Sequence, residues 1–192
     1  IYLSRLFYFG NNQFLLQSYY YITIFIRKII LPSILIYIYI LPIFSFFLPI
    51  KKLYLRYEFK FRDILFLWVI GIFNLGIVVN LFFKNIWGRA RPGDILQLGG
   101  KENFTPWFQI SDACASNCSF VSGDAAVGFS LIALYFLTKR IVFFWSSLFF
   151  GFGIGLVRIM EGGHFVSDVI MTAMVLYLSY YFQMKYYFKK YD

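Results

Sequence analysis

Histidine occurs once in the 192-residue chain and cysteine twice, and only 14% of the residues are charged. One histidine and two cysteines cannot supply the four nitrogen and sulfur ligands of a structural zinc site. No cluster of carboxylates suggests a metal either. The chain shows no low-complexity tract, no internal repeat and no nucleic-acid motif, so its net charge of +9 is not read as a nucleic-acid footprint. With so few charges and 60% hydrophobic residues, a soluble domain of this length could not bury its apolar surface. What is present points to lipid. The mean hydropathy is +0.69, and aromatics make up 24% of the residues, the kind of side chain that sits at membrane headgroups.

Five nearly uncharged runs are each about as long as the ~20 residues a helix needs to cross a bilayer. They cover 29–50, 64–83, 120–138, 141–157 and 165–184. Pro32, Pro42 and Pro49 in the first would break a soluble helix but are tolerated in a membrane. Gly151 and Gly155 form a small-xxx-small pair suited to close helix packing. The predicted fold class is therefore all-α, a polytopic membrane helix bundle. Residues 1–28 are expected to form an interfacial segment on the outer face, because the apolar stretch Tyr19–Ile26 is too short to span and Arg27 and Lys28 follow it.

Basic residues set the orientation. Lys51, Lys52, Arg56, Lys60, Arg62, Lys139, Arg140, Lys185, Lys189 and Lys190 fall on one face, which is expected to be cytoplasmic. Arg5, Arg27, Lys28, Lys84, Arg89, Arg91, Lys101 and Arg158 fall on the other. Ten against eight is a thin margin, but three of the outer cations have a chemical explanation.

The outer segments carry three clusters: Lys84 to Pro92, Ser119 to Asp124, and Arg158 to Asp168. Lys84, Arg91 and Arg158 bring three cations to one surface, and guanidinium forks match phosphate oxygens. Ser122-Gly123 at a helix start offers backbone N–H groups and a positive dipole end to an anion. Asp168 lies four residues beyond His164, on the same face of a helix, placed to accept the Nδ1 proton and leave Nε2 free as a nucleophile. These parts suit phosphoryl transfer. Taken singly, each has a plainer explanation. Lys84, Arg89 and Arg91 read as snorkelling anchors, Ser122 to Asp124 as an ordinary helix start, and the His–Asp pair as structural. Together, and with Asp168 several residues inside a span, they do not.

These residues resemble the signature of the type 2 phosphatidic acid phosphatase superfamily, K-x6-RP, PSGH and SR-x5-H-x3-D. Lys84-x6-Arg91-Pro92 matches fully, and Arg158-x5-His164-x3-Asp168 matches with Val157 in place of the serine. The resemblance implies a PAP2/haloperoxidase-like domain over 29–192, a phosphohistidine on His164 oriented by Asp168, and phosphate held by Lys84, Arg91, Ser122, Gly123 and Arg158. It implies no metal and no other cofactor. Members usually have six spans, which places one more before Ile1. The middle motif departs from the pattern, because Val121-Ser122-Gly123-Asp124 stands where Pro-Ser-Gly-His is usual. Asp124 would then be the catalytic proton donor, although a free aspartic acid, with a pKa of about 3.9, is a poor one at neutral pH. Glu161 is a second acid candidate, although its plainer reading is a surface or substrate contact.

The stretches Asn117–Ala125, Gly88–Pro92 and Gly162–Asp168 are similar to the lipid A 4'-phosphatase branch. That similarity implies a multi-pass protein of the bacterial inner membrane, its site facing the periplasm. Its partners would be a phosphorylated lipid substrate and membrane lipids, with no nucleic acid and no obligate protein. In the periplasm Cys114 and Cys118 are expected to form a disulfide that braces the loop leading to Ser122. Competing readings are a phosphatase for undecaprenyl pyrophosphate, phosphatidylglycerol phosphate or phosphatidic acid, a non-catalytic phospholipid binder, and a transporter. Retention of His164 argues against the binder, and motif charges gathered at one end of the spans argue against the transporter.

Overall fold

The computed structural model describes residues 1–192 apart from 12, 17, 18, 49, 55 and 192, and without the side chains of 50, 51 and 191. Five helical stretches build the bundle: α1 (Tyr20–Phe46), α2 (Phe61–Ile86), α3 (Gly123–Thr138), α4 (Ile141–Met160) and α5 (Val166–Tyr191). Three of them, α1, α2 and α4, are long and apolar enough to cross a membrane. Helix α3 is shorter and broken at Ser130–Leu131. Helix α5 has 26 residues but carries a more polar, tyrosine-rich surface. The five expected runs thus correspond to the five helices, with shifted bounds. The first helix starts at Tyr20 rather than Ile29, so Arg27 and Lys28 lie within it. Pro32 follows a wider π-type turn over Ile26–Ile30, a local adjustment that accommodates a residue without an N–H. Pro49 lies outside the described residues.

Helix α3 is the centre about which the others pack. Ala125, Ala126, Phe129, Ser130, Ile132, Ala133 and Leu134 are all almost fully buried. Small residues permit the close approach. A Cβ on Gly128 would sit 2.6 Å from the backbone nitrogen of Gly151. Gly151 faces the Phe129 ring and Gly155 faces Val169, so the expected small-xxx-small pair does hold helices together. The break in α3 exposes the Phe129 carbonyl, which accepts a hydrogen bond from Ser147 Oγ at 2.8 Å. A left-handed Lys139 (φ 59°) ends the helix.

The two ends of the bundle differ. At one end Asp63 caps α2, accepting from the Lys60 backbone at 2.9 Å and from the hydroxyls of Tyr57 and Tyr187. Lys139 lies 4.4 Å over the Phe188 ring at the same end. The opposite end collects the C-termini of α2 and α4, the N-termini of α1, α3 and α5, and the loop 87–122. Ala substituted for Gly128 should lower the thermal unfolding midpoint in detergent, at a cost of about 1–3 kcal/mol, because the added methyl meets backbone. Gly153 has nothing within 4 Å of its Cβ position. Gly153→Ala should therefore leave the midpoint unchanged or raise it slightly.

Candidate active site

Helix α2 delivers Lys84 to this end, and the chain then turns back at Gly88 (φ +64°). A Cβ on Gly88 would fall 1.6 Å from the Ser111 carbonyl oxygen, so only glycine fits. The returning loop runs alongside: Cys118 N donates to Lys84 O at 3.1 Å and Ser119 N to Arg89 O at 2.9 Å. Cys114 and Cys118 are joined by a disulfide. The short loop they close presents Asn117, whose side-chain oxygen accepts from Lys84 Nζ at 2.9 Å and whose carbonyl accepts from Arg91 Nη2 at 2.7 Å. One residue thereby gathers two of the three expected cations.

His164 is buried, 2% exposed. Its Nδ1 lies 2.6 Å from the Ser119 carbonyl oxygen. A carbonyl can only accept, so Nδ1 carries the proton and Nε2 carries the lone pair. Spacing had assigned that proton to Asp168, but Asp168 Oδ2 is 3.8 Å from Nδ1. The reason is local: α5 starts at Val166, so His164 precedes the helix and is out of its phase. Burial, with Arg158 and Lys84 nearby, holds the imidazole below its ordinary pKa against the opposing pull of Asp168.

Asp168 is fully buried and has other partners. It accepts from Ser119 Oγ at 2.5 Å and from Phe165 N at 2.9 Å, and it forms an ion pair with Arg89. Arg89 is itself 2% exposed. It also donates to Thr105 O and Ser167 Oγ, both at 2.9 Å, and stacks 4.2 Å from the Phe165 ring centre. Arg89, which taken singly reads as a surface anchor, is thus a buried partner of Asp168. The demand that a carboxylate inside a span find a partner was the signal that could have identified it.

Ser122 caps α3 as expected, its hydroxyl 3.5 Å from Ala125 N. Its own N–H, however, donates to Thr172 Oγ1 at 2.9 Å and is not available to an anion. Gly123 leaves room for Lys84, whose Nζ lies 3.0 Å from the position of an added Cβ, and Gly163 does the same for Arg158. Beside them opens a cleft of about 370 Å³ lined by Arg27, Arg91, Arg158, Glu161 and Gly163 among others. Arg158 pairs with Glu161 and brings Nε to 3.2 Å from Asp124 Oδ2. Arg27 Nε reaches the same Asp124 oxygen at 2.9 Å. Glu161 also accepts from Thr23 Oγ1, and its burial pushes its pKa up against the pull of Arg158 and Arg27. The expectation that Asp124 donates a proton meets a carboxylate shared by two guanidiniums, an arrangement that favours the charged form. Arg27 and Thr23, on α1, are the site neighbours that the motif reading did not include. Among the described residues no group of three or more His, Cys, Asp or Glu is placed to hold a metal.

Residues 64–192, with this end of the bundle among them, match the model of the PAP2 superfamily. The chain belongs to the PAP2 superfamily. It is 41% identical over 133 residues to the lipid A 4'-phosphatase of Francisella tularensis subsp. novicida, covering 65% of this chain and 58% of that protein. It is 34% identical over 98 residues to the lipid A 4'-phosphatase of Rhizobium leguminosarum, covering 50% and 42%. The Rhizobium etli lipid A 4'-phosphatase gives the same identity over the same length, 50% of this chain and 38% of its own. The matches thus span little more than half, or less than half, of these curated relatives. No solved structure matches significantly.

The Arg89–Asp168 pair makes a stability prediction. Arg89→Met leaves Asp168 charged and uncompensated in the interior, which should destabilise the fold by about 3–5 kcal/mol. Arg89→Met combined with Asp168→Asn should recover much of that loss, because the two residues are directly coupled. Thermal unfolding of the single and double variants in one detergent measures both.

Proposed function

We propose that this protein is a membrane lipid phosphatase that removes the 4'-phosphate of lipid A by way of a phosphohistidine at His164. The reading places the site at the periplasmic face of a bacterial inner membrane. The observation that carries it is the bond from His164 Nδ1–H to the Ser119 carbonyl, which in the neutral imidazole puts the proton on Nδ1 and the lone pair on Nε2. The cations around the cleft, the superfamily match and the names of the relatives support it.

In this reading Lys84, Arg91 and Arg158 hold the phosphate oxygens, so charge is met by side chains and not by a metal. Nε2 attacks phosphorus, the N–P bond forms, and the P–O bond to the glucosamine breaks. The departing oxygen takes a proton from Glu161, the carboxyl that lines the cleft and whose burial favours its protonated form. Arg158 is freed for the phosphate as it leaves Glu161. Water then gives a proton to the Glu161 carboxylate as it attacks phosphorus, the N–P bond breaks, and inorganic phosphate leaves with the imidazole and the Glu161 carboxyl restored. Arg89 and Ser119 hold Asp168, and Asp168 stabilises the developing positive charge on His164 from 3.8 Å.

Mass spectrometry of lipid A from a Gram-negative host expressing the protein tests the substrate. Loss of one phosphate, mapped to the 4'-position, is expected with the wild type and not with His164→Ala. Intact lipid A from membranes that contain the wild-type protein would overturn the lipid A assignment. A second outcome concerns pH. A nucleophile whose pKa is held below the free-imidazole value stays neutral into mild acid, so kcat/KM should fall only below about pH 6.5. The same depression makes the fold less stable as pH drops through that range, because the unfolded chain gains the proton first. A pH–rate profile whose acid limb lies above pH ~6.5 would contradict the burial argument.

A further inference from the structure

Arg27 lies outside the superfamily match, which begins at residue 64. Its place in the cleft comes from α1, which enters the bundle at Tyr20 and runs past the start of α3. The Arg27 side chain is 48% exposed, so it combines a fixed Asp124 contact with an open face toward the cleft. It stands there with Arg91 and Arg158. Arg158 is 6% exposed, and its buried Nε finds no hydrogen-bond partner among the described residues, although Asp124 Oδ2 is 3.2 Å away. Three guanidiniums converging on one small cleft repel one another unless an anion lies among them. Within the chain, Asp124 and Glu161 are the carboxyl groups that meet Arg27 and Arg158 among the described residues.

We propose that Arg27 is a further phosphate-binding residue of this site, and that Asp124 is a positioning residue that orients Arg27 and Arg158 and does not donate the proton. The inference rests on the phosphatase reading for its substrate, a phosphomonoester, and on the geometry for the binding itself. Asp124 Oδ2 accepts from Arg27 Nε and lies in ion-pair contact with Arg158 Nε, which leaves the Nη groups of Arg27, and Arg158 Nη1 once it parts from Glu161, to grip phosphate oxygens. Helix α1 thus completes, from outside the family core, an anion site whose other cations lie within it. Arg27→Lys would keep the charge and lose the fork.

Two measurements on the purified full chain in detergent decide it. The first is stabilisation of the fold by inorganic phosphate, read as a thermal shift, which does not depend on turnover. Arg27→Gln should need about tenfold more phosphate than wild type for half the effect, consistent with loss of one charge-assisted contact, and Arg27→Lys should fall between. The second compares p-nitrophenyl phosphate with an alkyl phosphate, whose leaving groups differ in their need for a proton. Asp124→Asn should raise KM for both and lower kcat by similar factors on both. Equal phosphate response in wild type and Arg27→Gln overturns the Arg27 assignment, as does a wild type with no phosphate response. A kcat loss confined to the alkyl phosphate in Asp124→Asn overturns the positioning role and makes Asp124 the acid. If wild type hydrolyses neither ester yet Arg27→Gln still weakens phosphate binding, the phosphatase reading fails and the phosphate-binding assignment of Arg27 stands.

Discussion

The buried ion pair between Arg89 and Asp168 is the constraint on which the site depends. Two charges with 2% and 0% side-chain exposure persist only if each satisfies the other and the remaining polar atoms find partners. Here they do. Arg89 uses Thr105, Ser167 and the Phe165 ring, and Asp168 uses Ser119 and the Phe165 backbone. Those partners lie on the loop 87–122 and on the start of α5. Satisfying one ion pair therefore docks the loop onto the helix. It also fixes the Ser119 carbonyl that meets His164 Nδ1. The tautomer of the histidine follows from the placement of a carboxylate that does not hydrogen-bond to it.

A second layer of charge lies outside the first and is looser. Lys84 and Arg91 meet on Asn117, while Arg27 and Arg158 meet on Asp124. The side chains of Arg27 and Asp124 are 48% and 20% exposed, against 2% and 0% for Arg89 and Asp168. In the proposed mechanism the interior pair would aim His164 and the outer cations would meet the charge of the phosphate. The packing below serves the same end. Glycines at 128, 151 and 155 draw α3, α4 and α5 together, which sets the spacing between Asp124, Arg158 and His164.

Much of this was legible in the sequence, and the failures have physical causes. Apolar runs gave the helices because a membrane span leaves a strong compositional trace. Their ends were less legible: α1 begins at Tyr20 and runs through Arg27 and Lys28, and the partner of Arg27, Asp124, is one that hydropathy does not see. The spacing of Lys84, Arg91, Arg158, His164 and Asp168 marked the residues that converge. It did not give their contacts. Four residues separate His164 from Asp168, and that spacing implies a shared helical face only if both residues are helical, which His164 is not. Arg89 was ambiguous because a cation after a span reads equally as an anchor, and its partner lies 79 positions away in sequence. Arg27 was out of reach for the same reason, being 97 positions from Asp124.

The central claim is that the phosphoryl group passes through His164 Nε2. Rapid quenching of the purified protein during turnover of a lipid phosphomonoester, followed by peptide mass spectrometry, tests it most directly. The account predicts one phosphoryl group on His164, stable to alkali and lost in acid as a phosphoramidate is. A phosphoryl group on any other residue, or active turnover with no phosphorylated peptide at any quench time, would contradict it.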